Sequence, residues 1–97
     1  MEAGNGLLEG RSILKVSGGK TIRVWCRYRG ETVEQVRFSG DFFMHPEEAL
    51  EDLESRLHGV DVSRACEIIV DFLTDVELFG AAPEDFTEAL RMALRGS

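Results

Sequence analysis

The 97-residue sequence lacks the features of several common protein classes. Its two cysteines, Cys26 and Cys66, lie far apart and outside any Cys-x-x-Cys pattern, so the sequence indicates neither a disulfide framework nor a zinc site. No apolar run approaches the roughly 20 residues of a membrane-spanning helix, and no signal peptide opens the chain. We therefore expect a soluble, cytoplasmic protein without a membrane partner. We also expect a flexible leader over residues 1–10 and a single domain over 11–97.

Histidine is also scarce, since His45 and His58 are the only two in the chain. They stand at the predicted start and end of one helix, where an imidazole suits the helix dipole better than it suits catalysis. The carboxylates between them line a solvated helix face without a third group placed as a metal ligand would be. We predict no catalytic residues and no metal site in this chain.

Charge is divided unevenly along the chain. The formal net charge is −7, but residues 11–37 carry seven basic and two acidic side chains, whereas residues 38–97 carry fourteen acidic and four basic ones. The two halves either present opposite fields to different partners or neutralise each other within the fold. The overall acidity, together with the lack of an RNA-binding aromatic signature, argues against nucleic-acid binding.

Three stretches in the first half of the chain have the pattern of β-strands. Strands are predicted over residues 12–16, 21–29 and 32–38, joined by tight turns. The middle strand alternates most clearly, with Ile22, Val24, Cys26 and Tyr28 on one face. In the third strand the parity changes at Val33, which predicts a bulge or places Val33 in the preceding turn.

The second half of the chain has the pattern of helices. We predict a helix over 46–58 and a second one capped by Asp61 or Ser63, which is apolar around more than half of its circumference and should be the most buried. Residues 74–80 are expected to form an irregular connection before a third helix that starts at Pro83. The predicted fold is α+β, a two-layer sandwich in which about three α-helices cover one face of a three-stranded antiparallel β-meander.

A joint between the basic strands and the acidic helices runs from Gly40 to His45. Gly40 supplies a turn, and the carboxylate of Asp41 is suited to a local hydrogen bond. Phe42 and Phe43 follow in a row. They either pack between the sheet and the helices or form a contact patch for a partner.

The turn Ser17–Lys20 has the composition of a phosphate loop but not its context. It is too short for the P-loop pattern and precedes a strand instead of a helix, so a hairpin turn is predicted. Lys15 and Lys20, which flank Gly18 and Gly19, would still favour an anionic group on a partner.

Trp25 is the least ordinary surface residue that the pattern predicts. It lies between Arg23 and Arg27 on the polar face of the middle strand. An exposed aromatic ring between guanidinium groups can anchor an interface or stack on a base. The alternative is stacking of an arginine on the indole within the chain.

Three stretches of the chain form a recognisable set. The first is KVSGGKTIRV at 15–24, the second is VRFSGDFF at 36–43 with the following PEE helix, and the third is VELFG at 76–80 followed by PEDF. Together they resemble the C-terminal accessory domain of lipoate-protein ligases, which in some archaea is a separate small protein. They cover most of residues 11–95 in the family's order. Relatives often carry proline before the glycine pair, where this chain has Ser17.

That resemblance implies a protein without an active site of its own that is a required part of a ligase holoenzyme. Such ligases use ATP and magnesium to convert lipoate to lipoyl-adenylate, and they pass the lipoyl group to a lysine of an acceptor protein. The lipoate pocket, the nucleotide loop and the catalytic lysine belong to a large catalytic domain that this chain lacks. It would bind no cofactor alone, form a heterodimer with the catalytic subunit and affect acceptor proteins only indirectly.

We predict that the turn and the joint face that subunit, because both combine glycines with basic or aromatic side chains. The candidate residues are Lys15, Gly18, Gly19, Lys20, Gly40, Asp41, Phe42, Phe43 and His45. The alternative function is that of an iron-sulfur assembly scaffold or another binding module unrelated to lipoate. Such scaffolds use cysteines in exposed loops, whereas Cys26 alternates inward and Cys66 lies on an apolar helix.

Overall fold

The computed structural model describes residues 6–95 and has an α+β fold. The elements are β1 (Leu7–Lys15), a 3-10 turn (Ser17–Gly19), β2 (Thr21–Arg29), β3 (Thr32–Gly40), β4 (Phe43–His45), α1 (Ala49–Arg56), β5 (Val60–Asp61), α2 (Val62–Thr74), β6 (Glu77–Phe79) and α3 (Pro83–Leu94). Strands β1, β2, β3 and β5 form one antiparallel sheet in that order, and β4 pairs with β6 in a separate antiparallel ribbon. The predicted meander and its helical layer are confirmed, with β5 as a short fourth strand.

Strand β1 is longer than the sequence predicted, because it begins at Leu7. Residues 7–10, which we expected in a flexible leader, are therefore part of the sheet, while residues 1–5 lie outside the described residues. Gly10 suggested a loop, but its role is steric: a Cβ at this position would overlap the carbonyl oxygen of Ala93 in α3. The glycine lets the helix approach the strand closely.

The predicted bulge lies between β2 and β3. Arg27 is opposite Gln35 and Tyr28 is opposite Val33, so Glu34 is the extra residue on β3. Val33 is fully buried and belongs to the strand, not to the turn. Because of this extra residue, Val33 and Val36 both point into the core although they are three positions apart.

The core lies between the inner face of the sheet and the helices. Phe86 of α3 is the largest fully buried side chain, and its ring packs edge to face on Phe38 and Phe42, with centroids 5.2 and 4.9 Å away. The buried hydroxyl of Ser12 in β1 donates to the carbonyl oxygen of Ala89 in α3 at 2.7 Å. These contacts place α3 directly against the sheet.

The expectation that α2 is the most buried helix was wrong, because α3 holds that position. Helix α3 contacts both β1 and β2 and buries five residues against four in α2. Helix α2 packs beside α3 and leaves Val70 37 % exposed. Apolar content alone did not show which helix lies at the centre, since part of the α2 surface faces outward.

The helix starts agree with the sequence in two cases of three. Asp61 caps α2 by accepting a hydrogen bond from the Ser63 N–H at 3.0 Å, and α3 begins at Pro83 as predicted. Helix α1 begins at Ala49, later than predicted, because the carbonyl oxygen of Pro46 accepts from the Ala49 N–H in a separate turn. No helix within residues 6–95 is long and apolar enough to span a membrane.

The expectation of an irregular connection over 74–80 was also wrong in part. Residues Glu77–Phe79 form β6, in which Leu78 lies opposite Met44 of β4. A strand of three residues shows too few alternations for its pattern to be recognised. The ribbon lies beside the end of β3 and continues directly from the joint.

Candidate functional site

The Gly40–His45 joint and the Ser17–Lys20 turn meet at one end of the sheet. Strand β3 ends where β2 begins, and the N–H of Asp41 donates to the carbonyl oxygen of Thr21 at 2.9 Å. In return, the N–H and the hydroxyl of Thr21 donate to Oδ2 of Asp41 at 3.2 and 3.0 Å. A Cβ on Gly40 would overlap the Thr21 carbonyl oxygen, so only glycine allows this approach.

The turn is a hairpin connection between β1 and β2, as predicted. Its backbone is closed by the N–H of Val16, which donates to the carbonyl oxygen of Lys20 at 2.9 Å. Lys15 and Lys20 are exposed, and a side chain built at Gly18 or Gly19 would meet nothing within 4 Å. The turn therefore presents two cations beside an open stretch of backbone.

The two phenylalanines of the joint have different environments. Phe42 is half-buried and packs against Phe86, whereas Phe43 in β4 is 53 % exposed. Phe79 in β6 lies directly opposite Phe43, is 54 % exposed, and has its ring centroid 6.1 Å from that of Phe43. The ribbon thus carries a pair of exposed aromatic rings beside the joint.

Phe79 is the residue that the sequence reasoning missed. It was assigned to an irregular connection, and only the pairing of β4 with β6 places it against Phe43. The available signal was the apolar content of VELF at 76–79. His45 is exposed in β4, opposite Glu77, and so lies in the ribbon and not at a helix end.

The turn and the segment after β6 enclose a shallow cavity of 370 Å³. Its walls include Lys20, Gly80 and Asp85. Gly80 also lies against the joint, because a Cβ there would approach the carbonyl oxygen of Asp41 to 2.9 Å. We call the continuous surface formed by Lys20, Asp41, Phe43, Phe79 and this cavity the joint surface.

The two thiols of the chain are buried, and the described residues form no metal cluster. Cys26 and Cys66 are buried, and burial raises the pKa of the Cys26 thiol to about 11, although a backbone hydrogen bond involving Gly10 acts in the opposite direction. Burial also raises the pKa of the Cys66 thiol. Buried, protonated thiols are poor nucleophiles and metal ligands, and within residues 6–95 no three His, Cys, Asp or Glu side chains are grouped as a metal site requires.

The arginine and tryptophan patch lies elsewhere, on the sheet face that the helices leave open. The guanidinium of Arg27 lies 5.3 Å from the ring centroid of Trp25, so the stacking within the chain is present. The register adds two cations that the sequence order did not indicate, since Arg11 and Arg37 lie opposite Trp25 on the neighbouring strands. Arg23 is exposed and does not reach the joint surface by any hydrogen bond or salt bridge between described residues.

Comparisons with known proteins point to one system. The chain is 40 % identical over 72 residues to lipoate-protein ligase A subunit 2 of Thermoplasma acidophilum, a match that covers 73 % of this chain and 77 % of that protein. It also matches a chain in the solved structure of an archaeal lipoylation system from Thermoplasma acidophilum, a bi-partite lipoate protein ligase with its E2 lipoyl domain. That match has a TM-score of 0.80 and 35 % identity, and covers 88 % of this chain and 97 % of the other. The sequence matches no family model.

Proposed function

The chain belongs to the family of lipoate-protein ligase A subunit 2, and from this premise we propose that it is the non-catalytic accessory subunit of a two-part lipoate-protein ligase. It docks on the catalytic subunit, supports the ATP-dependent formation of lipoyl-adenylate and so promotes lipoylation of acceptor proteins. The observation that carries the proposal is that both the sequence and the fold agree with one bi-partite ligase system.

The division of labour between the subunits follows from the chemistry of the described residues. Both thiols are buried. His45 is exposed on β4, and His58 is exposed after α1. The described residues therefore include no activated nucleophile with a base held beside it. We propose that lipoate, ATP and magnesium act in the catalytic subunit, where the adenylate forms. Because such a ligase consumes ATP, we propose that the pair acts in the cytoplasm.

We assign docking on the catalytic subunit to the joint surface. The exposed rings of Phe43 and Phe79 provide an apolar contact of the kind that anchors protein interfaces. Asp41 holds the joint to β2 through three hydrogen bonds with Thr21. The aromatic pair is thus carried on a paired ribbon beside a fixed joint, which lowers the entropy lost on binding.

Lys20 adds a charge to the same surface. It lies in the wall of the cavity with Gly80 and Asp85, beside the open backbone of Gly18 and Gly19. A cation next to exposed backbone favours a carboxylate or a phosphate on the partner. The joint surface therefore combines an apolar anchor with an exposed cation that can pair with an anionic group of the partner.

The direct test uses the catalytic subunit from the same source with lipoate, ATP and magnesium. We expect pyrophosphate release to be slow without this chain and to rise severalfold when it is added, while the chain alone releases none. An unchanged rate would contradict the accessory function. Turnover by the chain alone would instead show an independent enzyme, and capture of other proteins without binding to the catalytic subunit would show a binding module unrelated to lipoate.

A further inference from the structure

The open face of the sheet carries a dense group of cations in an otherwise acidic protein. Residues directly opposite each other in antiparallel strands point to the same face. One cross-strand row is Arg11, Trp25 and Arg37, the next is Ile13, Arg23 and Ser39, and the third is Glu9, Arg27 and Gln35. We call the four arginines and the tryptophan of these rows the arginine face.

Three of the four arginines form no salt bridge within residues 6–95. Arg11, Arg23 and Arg37 are exposed, whereas Arg27 is 3.7 Å from a carboxylate oxygen of Glu9. Arg37 lies near the carboxyl of Glu54, whose pKa is raised by burial while the charge of Arg37 acts in the opposite direction. The three arginines line a shallow depression of 310 Å³ together with Trp25 and Ile13. The depression thus offers guanidinium groups without salt bridges around an apolar centre, which suits a surface with carboxylates and at least one apolar side chain.

We propose that the arginine face binds an acidic surface of the acceptor protein that receives the lipoyl group, an inference that rests on the proposed function. A chain of net charge −7 repels an acidic partner in most orientations. The arginine face is the side that attracts it, so the field of the molecule selects both the partner's charge and its orientation.

The arginine face and the joint surface suit different kinds of binding. The joint surface has exposed aromatic rings and lies at the end of the sheet, as expected for a contact that persists between subunits. The arginine face is charged and wet, and such surfaces favour fast association and release. An acceptor protein must leave after each transfer, whereas the catalytic subunit need not.

The observations favour a protein over a nucleic acid as the occupant. The side chains on the arginine face include Trp25 and Ile13, but the indole is already stacked under Arg27 and is only half-exposed. Carboxylates of the helical layer would repel a long phosphate backbone that extended beyond the face. A folded acidic domain contacts only the face itself.

The test compares two charge-matched double variants in the complete two-subunit ligase. The sheet variant, Arg23→Ala/Arg37→Ala, removes two cations from the arginine face. The helix variant, Arg64→Ala/Arg91→Ala, removes two exposed cations from the helices. The lipoyl domain of the acceptor, in its unmodified form, is the substrate. Pyrophosphate release without acceptor reports adenylation separately from transfer, and thermal denaturation shows that each variant is folded.

We expect the KM for the lipoyl domain to rise about tenfold in the sheet variant and to stay unchanged in the helix variant. The wild-type KM should rise with salt more steeply than that of the sheet variant. Pyrophosphate release should be the same in all three proteins. If wild-type protein fails to stimulate pyrophosphate release, the proposed function fails, and the inference fails with it.

Three results would overturn the inference alone, with wild-type stimulation intact. An equal KM for the lipoyl domain in both variants would show that the arginine face does not meet the acceptor, and loss of the adenylation effect in the sheet variant would assign the face to the catalytic subunit. A single-stranded 20-nucleotide DNA or RNA probe that binds wild-type protein at physiological salt, but not the sheet variant, would point to nucleic acid instead.

Discussion

At the scale of single residues, Gly10 shows how a local sequence feature serves a distant contact. A Cβ there would overlap the backbone carbonyl of Ala93, which has little freedom to move because α3 is packed on the sheet. We predict that Gly10→Ala lowers the free energy of unfolding by about 3 kcal/mol, measured by urea denaturation.

The control for this prediction is Gly30→Ala, where the added methyl group meets nothing within 4 Å but φ is +58°. That substitution should cost about 1 kcal/mol, the cost of the left-handed backbone alone. Equal losses in the two variants would show that contact with α3 does not explain Gly10.

Cys26 makes a prediction about alkaline pH. Burial raises the pKa of its thiol from 9.0 to about 11 in the folded chain, so the folded state resists a deprotonation that the unfolded state undergoes readily. The sign follows: the stability contributed by the protonated thiol is fully present below pH 9 and is lost as the pH rises towards 11. Between these values the free energy of unfolding should fall more steeply with pH in the wild type than in Cys26→Ala, and parallel curves would contradict this.

The structural role of a residue could be predicted from the sequence where a local interaction decides that role. The inward direction of Cys26 was predicted outright, and the cap of α2 and the irregularity at Val33 were each narrowed to two alternatives, because each depends on neighbours along the chain or on strand parity. Gly10 was interpreted wrongly, since its reason lies in a helix more than eighty residues away. Long-range contacts of this kind leave no local pattern.

At the scale of elements, the ribbon of β4 and β6 divides two adjacent phenylalanines between packing and exposure. Phe42 packs on Phe86, and Phe43 pairs with Phe79 on the outside. We predict that Phe42→Ala lowers the free energy of unfolding by about 2 kcal/mol, and that Phe43→Ala changes it by less than about 0.5 kcal/mol. Chemical denaturation of the two variants side by side measures both losses. A larger loss in Phe43→Ala than in Phe42→Ala would contradict the assignment of Phe42 to packing and Phe43 to the surface.

The longer elements were predictable and the ribbon was not. Strand β2 has nine residues of alternating pattern, and α3 begins with a Pro-acid-acid signal followed by regular apolar spacing. Strands β4 and β6 have three residues each, and their pairing joins segments on either side of α1 and α2. The candidate site was therefore predicted in half: the joint and the turn were identified, but Phe79 depended on a pairing that only the fold provides.

At the scale of the whole molecule, the two charged halves do not neutralise each other by direct pairing. The salt bridges of the described residues each join partners within the same layer, as Arg27 with Glu9 in the sheet and Arg64 with Glu67 in α2. Arg37 of β3 and Glu54 of α1 do interact across the layers: burial raises the pKa of the Glu54 carboxyl, and the charge of Arg37 acts in the opposite direction. Apart from that pair, separate fields describe the charges of the described residues better than neutralisation within the fold. The basic field belongs to the open face of the sheet and the acidic field to the helices.

The joint surface and the arginine face lie on different parts of the protein. The joint surface carries an exposed aromatic pair at the end of the sheet, and we have proposed that it binds the catalytic subunit. Removing both rings should then weaken assembly without changing what the assembled enzyme does. A matched control exists, because Leu8 and Ile13 are similarly exposed apolar residues outside the joint surface. Ile13 lies in the depression of the arginine face, which pyrophosphate release without an acceptor does not test.

The most direct measurement is a titration of the catalytic subunit with wild-type protein, Phe43→Ser/Phe79→Ser and the control Leu8→Ser/Ile13→Ser, following lipoate-dependent pyrophosphate release. Wild type and control should raise the rate to the same plateau at the same concentration. The Phe43→Ser/Phe79→Ser variant should reach that plateau only at concentrations at least about tenfold higher, as expected for the loss of interface anchors. Three superimposable curves, or no rise with wild-type protein, would contradict the account.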